Sequence, residues 1–431
     1  MRVLVTGAYG LIGSAILARL ARDGHAVVGA GRDVAAASRR LSAAQWIAAD
    51  FNKLTSPAAW LPLLSGIEAV VNCVGVLQGG LRDDAHRVHV DATTALFAAC
   101  EQSVRRVIHV SAIGAEATGP TEFSRGKAQA DQDLARRDLD WVILRPALVL
   151  APAVYGGSAM LRAVAAFPGV TPLIAADSKI QIVSVEDVAE TVARCLKPGA
   201  PSKVIWDLAH PQVHMLCDIV VAIRRWLGFA PRPVLRVPHL VARAIGPVAD
   251  ALGLLGWRSP ARTTALRQLE AGVVGDPAPW IAATGIVPMS LDDILGSRPA
   301  SVQDRWFARL YLLKPVAIAG LALFWFATGT IALGPARASA TAQMIATGTP
   351  PNIASLTVIL GAWFDIVLGL LLCVRATARF TLIVMLIATV GYLLAGTLLA
   401  PQLWLDPLGP LTKIIPMLLA TAFTLAIIDE R

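Results

Sequence analysis

The rhythm of apolar positions changes once along the chain, near residue 300. Before that point short β-branched runs alternate with stretches of helical period. Residues 1–6 read Met-Arg-Val-Leu-Val-Thr, a strand, and Ser14–Asp23 follows at helical spacing. Further strands are predicted at Ala26–Ala30, Gln45–Ala49, Ala69–Val74, Arg106–Ser111 and Trp141–Arg145, with helical stretches such as Asp84–Cys100 and Ser124–Arg137 between them. Strands alternating with helices predict an α/β fold with a parallel, doubly wound sheet. Later segments are more helical. Ser184–Leu196, His210–Leu227 and Pro238–Leu255 carry the helical period, the last interrupted by Arg243 and Asp250. That interrupted run reads either as an interfacial helix or as a packed surface helix.

From Leu310 the alternation stops. Leu310–Leu333, Ile353–Val374, Phe380–Ala400 and Leu411–Ile428 are apolar throughout, and about 20 helical residues cross a ~30 Å hydrocarbon core. They predict an all-α bundle of four transmembrane helices in residues 301–431, after a domain in residues 1–300. Composition supports this, because 55% of residues are hydrophobic and only 16% charged, against about 45–50% and about 25% in soluble domains. The net charge of +8 adds no nucleic-acid partner, since the basic pairs are isolated and no basic cluster forms. Its informative part flanks the spans. Arg305 and Arg309 precede the first and Lys314 lies near its start, Arg375 and Arg379 fill the second connection, Arg337 stands alone in the first connection, and the third has none. The positive-inside rule then places residues 1–300 and the C-terminus in the cytoplasm, with the chain multi-pass in the cell (inner) membrane. The first residues already read as a strand and a turn, so no signal peptide is expected. Cys73, Cys100, Cys195, Cys217 and Cys373 are odd in number and far apart, and read as buried thiols of a reducing compartment.

The candidate chemistry begins at the first strand. Thr6, Gly7, Tyr9, Gly10, Leu11, Ile12 and Gly13 form a glycine-rich turn of spacing G-x-x-G-x-x-G between strand and helix. Such glycines permit a tight turn, close backbone approach to a pyrophosphate and close helix–strand packing, while the helix N-terminus faces the phosphates. The fold is therefore expected to be Rossmann-type, with these residues and Val74 holding a dinucleotide. An NAD site would place a carboxylate after the second strand to hold the ribose. Here Gly31 is followed by Arg32, with Arg39 and Arg40 beyond, which favours NADP(H) over NAD(H) unless Arg32 is a solvated loop residue. Asp50 reads either as an acceptor for the adenine amino group or as a helix cap.

At this point the chain resembles the short-chain dehydrogenase/reductase superfamily, in its extended or atypical branch. The matching pieces are the glycine turn, Asn72-Cys-Val-Gly-Val, Ser111-Ala-Ile-Gly-Ala, Leu144-Arg-Pro-Ala and Val183-Ser-Val-Glu-Asp-Val-Ala-Glu. The resemblance implies that residues 150–300 supply a substrate-side lobe. It also implies a Ser, Tyr and Lys catalytic set. Ser111 and Lys127 fit two of these roles, but the tyrosine position holds Phe123, and a phenyl ring donates no proton. Three readings stay open. Tyr9, Tyr155 or Ser124 serves as acid; a quinone or flavin-like acceptor takes hydride without one; or the nucleotide binds without turnover. Lys127 can hold the ribose hydroxyls in each. His86 and His89 lack a third metal ligand, and His109 reads as a packed core residue.

The nucleotide region looks closest to the group containing the dehydrogenase-like accessory subunit of respiratory complex I. The resemblance implies binding of a nicotinamide nucleotide, often without demonstrated turnover. The helical region resembles the DoxX-like family in Gly361-Ala-Trp-Phe-Asp365-Ile-Val-Leu-Gly and Gly409-Pro-Leu-Thr-Lys413-Ile-Ile-Pro. Asp365, in mid-span, reads either as a functional candidate with Lys413 as its expected partner or as a polar clamp between helices. Two functions follow as expectations. One is a membrane oxidoreductase passing hydride from NADPH to a lipophilic acceptor, such as a quinone or isoprenoid. The other is a nucleotide-binding scaffold or assembly factor for a membrane protein complex, or an NADP-sensing regulator.

Overall fold

The structure, a computed structural model, describes residues 1–42, 44–80, 84–257 and 259–428, with the side chains of Arg40 and His239 outside the description. It divides into two compact units, Met1–Ala251 with Ser259–Ala308, and Leu252–Arg258 with Arg309–Arg431.

The first unit is built on seven parallel strands: β1 (Arg2–Thr6), β2 (Ala26–Gly31), β3 (Gln45–Ala48), β4 (Ala69–Asn72), β5 (Arg106–Val110), β6 (Asp140–Pro146) and β7 (Val204–Leu208). Their order is β7-β6-β5-β4-β1-β2-β3, every neighbour parallel. The winding reverses between β1 and β4, and the carboxyl ends flanking that reversal are where such sheets bind ligands. Strand alternation builds two cores. Val3, Val5, Ile108 and Val142 pack on α1 (Leu11–Arg22) and, further along the chain, on a helix at Val185–Cys195. Leu4, Val70, Val107 and Ile143 face the other way, onto α2 (Ala92–Ser103) and α3 (Glu122–Ala135). A third cluster, with Leu173, Ile219, Ile223 and Leu291 at its centre, fills the lobe.

Several sequence expectations need correction. Strand β7 was not anticipated, because Val-Ile-Trp-Asp-Leu is short and an edge strand only partly buries its pattern. The helix expected from His210 starts at Leu216, since His214–Met215 pairs antiparallel with Lys179–Ile180. Ser111 and Val74 lie just beyond β5 and β4. Two cysteines, Cys100 and Cys195, are buried, whereas Cys73, Cys217 and Cys373 are partly exposed.

The second unit consists mainly of α4 (Val302–Leu333, whose first turns belong to the first unit), α5 (Arg337–Ala346), α6 (Pro351–Leu372), α7 (Arg375–Leu399) and α8 (Ile414–Ile427). Helices α4, α6 and α7 are long and apolar enough to cross a membrane. Helix α8 has 14 residues, about 21 Å at 1.5 Å per residue, short of a ~30 Å core. Among the described residues the expected four spans are therefore three long helices and one short apolar helix. Helix α4 starts earlier than expected and contains Arg305, Arg309, Lys314 and Pro315. Gly369 lets α6 approach α4 closely, because a Cβ there would lie 2.8 Å from Ala322 O, the small-residue contact typical of membrane helices.

Candidate functional site

The glycine turn closes at the carboxyl end of β1. Gly7 has φ +64°, and its carbonyl accepts from Gly10 N–H at 2.9 Å. A Cβ on Gly7 would lie 2.9 Å from Cys73 O, and one on Gly13 would run into Gly7 O. Helix α1 begins at Leu11 with Gly10 as its cap, offers no capping side chain and has no acidic residue in its first turn. The N–H groups there and the positive helix end suit a pyrophosphate. Such a cradle fits a dinucleotide because Gly7, Gly10 and Gly13 close the turn tightly and leave the first N–H groups of the helix without a side-chain cap.

The end of β2, where the sequence reading expects the adenosine ribose, is lined by Tyr9 and Arg32. The Tyr9 ring covers Gly31, where a Cβ would collide with it, and its hydroxyl accepts from Arg32 N–H at 3.4 Å. Arg32 and Arg39 are exposed, and Arg40's side chain lies outside the described residues. Sequence reasoning missed Asp33, a carboxylate two residues past β2. Its Oδ1 accepts from Ala36 N–H at 2.9 Å and caps the helix Val34–Arg40. Asp50 instead closes a turn, with Oδ1 accepting from Asn52 N–H at 3.2 Å.

A buried polar chain runs across the strand ends. Thr6 Oγ1 donates to Asn72 Oδ1 at 2.6 Å, and Asn72 Nδ2 lies 3.1 Å from His109 Nδ1. Asn72 is thus the donor to His109, which leaves the His109 proton on Nε2, 3.6 Å from Asp131 Oδ1. Burial holds His109 well below the ordinary histidine range, so it is neutral. Asp131 Oδ2 accepts from Ser111 Oγ at 3.0 Å and from Arg145 Nε at 2.9 Å. Burial pushes the Asp131 carboxyl up against the pull of Arg145. His109, expected as a plain core residue, is a link in this chain. The signal lay in Asp131 and Arg145, one on α3 and one on β6.

Lys127 is buried beside it. Its Nζ donates to Val110 O at 2.8 Å and Val74 O at 3.3 Å. Phe123, one turn earlier on α3, stacks edge-on against His89, with ring centroids 5.4 Å apart. His89 Nε2 lies 2.7 Å from Val76 O, and the segment Arg87–Asp91 that carries it is a π-helical turn, a form frequent at functional sites. Gly75 lies over both, since its Cβ would sit 3.3 Å from His89 and 3.5 Å from Lys127. Of the candidate replacement acids, Ser124 donates to Gly114 O at 2.9 Å. Tyr9 lies over Gly31, and Tyr155 is exposed in the lobe ahead of the helix Gly157–Ala165.

Burial pushes the Lys127 ammonium down from 10.5 to about 8, against the opposing pull of Asp131 and Cys73. The unfolded chain then holds more protons than the folded one from about pH 8 up to the ordinary lysine value, so stability rises with pH across that window. A nucleotide held through the ammonium would show the opposite dependence and should bind more weakly as pH passes about 8. Titrations with NADPH on both sides of that pH should show the fall, and Lys127→Met should remove it.

In the second unit Asp365 Oδ1 accepts from Tyr392 Oη at 2.9 Å. Its partner is thus Tyr392 on α7 rather than Lys413, which is exposed at the start of α8.

Comparison with known proteins agrees with both units. Residues 7–198 match the model of an NAD(P)H-binding family, and residues 322–422 match the DoxX-like family. An uncharacterized protein of Mycobacterium tuberculosis is 29% identical over 237 residues, 55% of this chain and 25% of its own. The mitochondrial NADH dehydrogenase [ubiquinone] 1 alpha subcomplex subunit 9 of Arabidopsis thaliana is 30% identical over 177 residues, 39% of this chain and 42% of its own. The match thus spans about a quarter of the first relative's length and about two fifths of the second's. The crystal structure of the Bordetella bronchiseptica enzyme WbmG in complex with NAD superposes with a TM-score of 0.51 at 17% identity, covering 69% of this chain and 92% of that one. The chain therefore joins an N-terminal Rossmann domain that matches an NAD(P)H-binding family and shares the fold of WbmG to a C-terminal domain that matches the DoxX-like family.

Proposed function

We propose that this protein is a membrane-anchored oxidoreductase that passes hydride from NADPH to a lipophilic acceptor such as a quinone or isoprenoid. When bound, the nucleotide supplies the hydride. The chain's own residues bind and orient. Gly7, Gly10 and Gly13 with the first N–H groups of α1 would hold the pyrophosphate. Lys127 would hold the nicotinamide ribose, and Arg32 the 2′-phosphate.

The observation that carries the choice of acceptor is the commitment of the local hydroxyls. Phe123 has none, and those of Ser111 and Ser124 donate to Asp131 and Gly114. A quinone suits such a site, since the anion left after hydride transfer takes its proton from water and needs no positioned acid. The three long apolar helices support a bilayer as the place where such an acceptor is met. By flanking charge, the nucleotide site faces the cytoplasm across an inner membrane. A second reading, a nucleotide-binding scaffold in a membrane protein complex, draws support from the plant relative, a named subunit of NADH dehydrogenase.

The test uses the full chain in lipid nanodiscs. NADPH should bind more tightly than NADH, and Arg32→Ala should reduce that preference about tenfold, the loss of one charge-assisted contact. Added short-chain quinone should then bleach the nicotinamide absorbance. Tight binding without oxidation by any quinone overturns the hydride reading in favour of the scaffold. Failure to bind either nucleotide overturns both.

A further inference from the structure

The helix His239–Leu254 carries its large apolar residues on the outside. Its inward positions are Ala242, Gly246, Ala249 and Gly253, all buried. Gly246 lies so close to the helix Thr263–Ala271 that a Cβ would come within 2.8 Å of Thr263 Oγ1. The polar flank is satisfied inside the fold, where Asp250 accepts from Gln78 Nε2 at 2.7 Å and Arg262 Nε at 3.0 Å. The outward face holds Leu240 (78% exposed), Val248 (62%) and Leu254 (69%), continued by Val241, Leu252 and Leu255. At 100° per residue these six fall within about half of the helix circumference, and the exposed cation Arg243 stands at their edge. A water-facing helix places its large apolar residues inward, so this arrangement asks for an apolar medium outside.

The occupant follows from where the chain goes next. Residues 252–258 belong to the second unit. There Leu255 O accepts from Arg375 N–H at 2.9 Å, Trp257 Nε1 donates to Cys373 O at 2.6 Å, and the Arg375 guanidinium lies over the Trp257 ring at 5.6 Å. Cys373 to Arg375 is the connection between α6 and α7, two helices long enough to span, and so marks one face of the hydrocarbon layer. Trp and Arg are the residues that settle at that depth. The apolar helix thus runs directly into a segment fastened at a membrane surface.

We propose that His239–Leu254 lies in the plane of the bilayer, with Leu240, Val248 and Leu254 among the acyl chains of one leaflet. The proposal concerns this helix alone and stands whether or not the nucleotide domain turns over.

The test places p-benzoylphenylalanine at position 240, 248 or 254 of the full chain in nanodiscs, with position 138 as control, where Asp138 is fully exposed in the first unit. All these positions are exposed, and far-ultraviolet circular dichroism verifies each fold. After irradiation, mass spectrometry should find lipid adducts at 240, 248 and 254 at least about tenfold above position 138. Cross-links to a second copy or to another protein, or lipid adducts no more frequent than at 138, overturn the proposal.

Discussion

Gly13→Ala is expected to abolish NADPH binding and to destabilise the first unit by about 3 kcal/mol or more, as overpacking of a closed backbone contact does. The added methyl would run into Gly7 O and lie 3.0 Å from Ala8 Cα. Neither backbone can retreat. Gly7 O is held by the Gly10 N–H, and Gly7 sits at φ +64° with its own Cβ direction closed off by Cys73 O. Helix α1 would have to move instead, carrying Ile16, Leu17 and Leu20 out of a fully packed core. The same movement turns the first-turn N–H groups away from the pyrophosphate position. Gly10→Ala gives a graded control, since its methyl meets Gly7 O at 3.1 Å and needs only a small adjustment. Titration with NADPH and thermal melts measure the two effects together. Undiminished binding in Gly13→Ala would show that the turn is not the nucleotide cradle.

Asp131→Ala should cost about 1–3 kcal/mol, the cost of leaving buried polar groups without their acceptor. The carboxylate is 2% exposed and gathers Ser111, Arg145 and the facing His109. Removing it leaves the Arg145 guanidinium, still 27% exposed, to find water through a partial opening. Ser111 and the Nε2 proton of His109 lose the acceptor they face. Asp131→Asn should recover part of the loss, because the amide oxygen can still accept from Ser111 while the charge attraction is gone. Chemical denaturation of each variant gives the ordering. An Asp131→Ala chain as stable as the parent would mean that the polar chain adds nothing to the fold.

Much of the nucleotide unit was legible because its signals are local. A β-branched run, three glycines at fixed spacing and a helical period stand within residues 1–23, and Ser111, Phe123 and Lys127 stand at recognisable offsets from strand and helix. What stayed hidden depends on distance in sequence. The link from Thr6 through Asn72 and His109 to Asp131 and Arg145 joins five elements, and no spacing along the chain announces it. Asp33 was passed over because its side chain acts on a backbone N–H three residues on. The fourth apolar run was read by hydropathy alone, which does not register that residues 410–413 form turns before α8 begins. Asp365 was assigned a partner by charge, and a phenol hydroxyl took the place.

Asp250 lies on the helix with the apolar outer face and holds Gln78 and Arg262, while Arg262 Nη1 donates to Gly79 O at 2.8 Å. The loop that leaves β4 past Gly75, beside Lys127, is therefore fastened to that helix. If the helix rests in a leaflet, this loop stands at the edge of a two-dimensional solvent. An acceptor dissolved there is counted as a mole fraction of the lipid rather than as a molarity, and dilution with more lipid lowers what the site meets even when the amount per litre is unchanged.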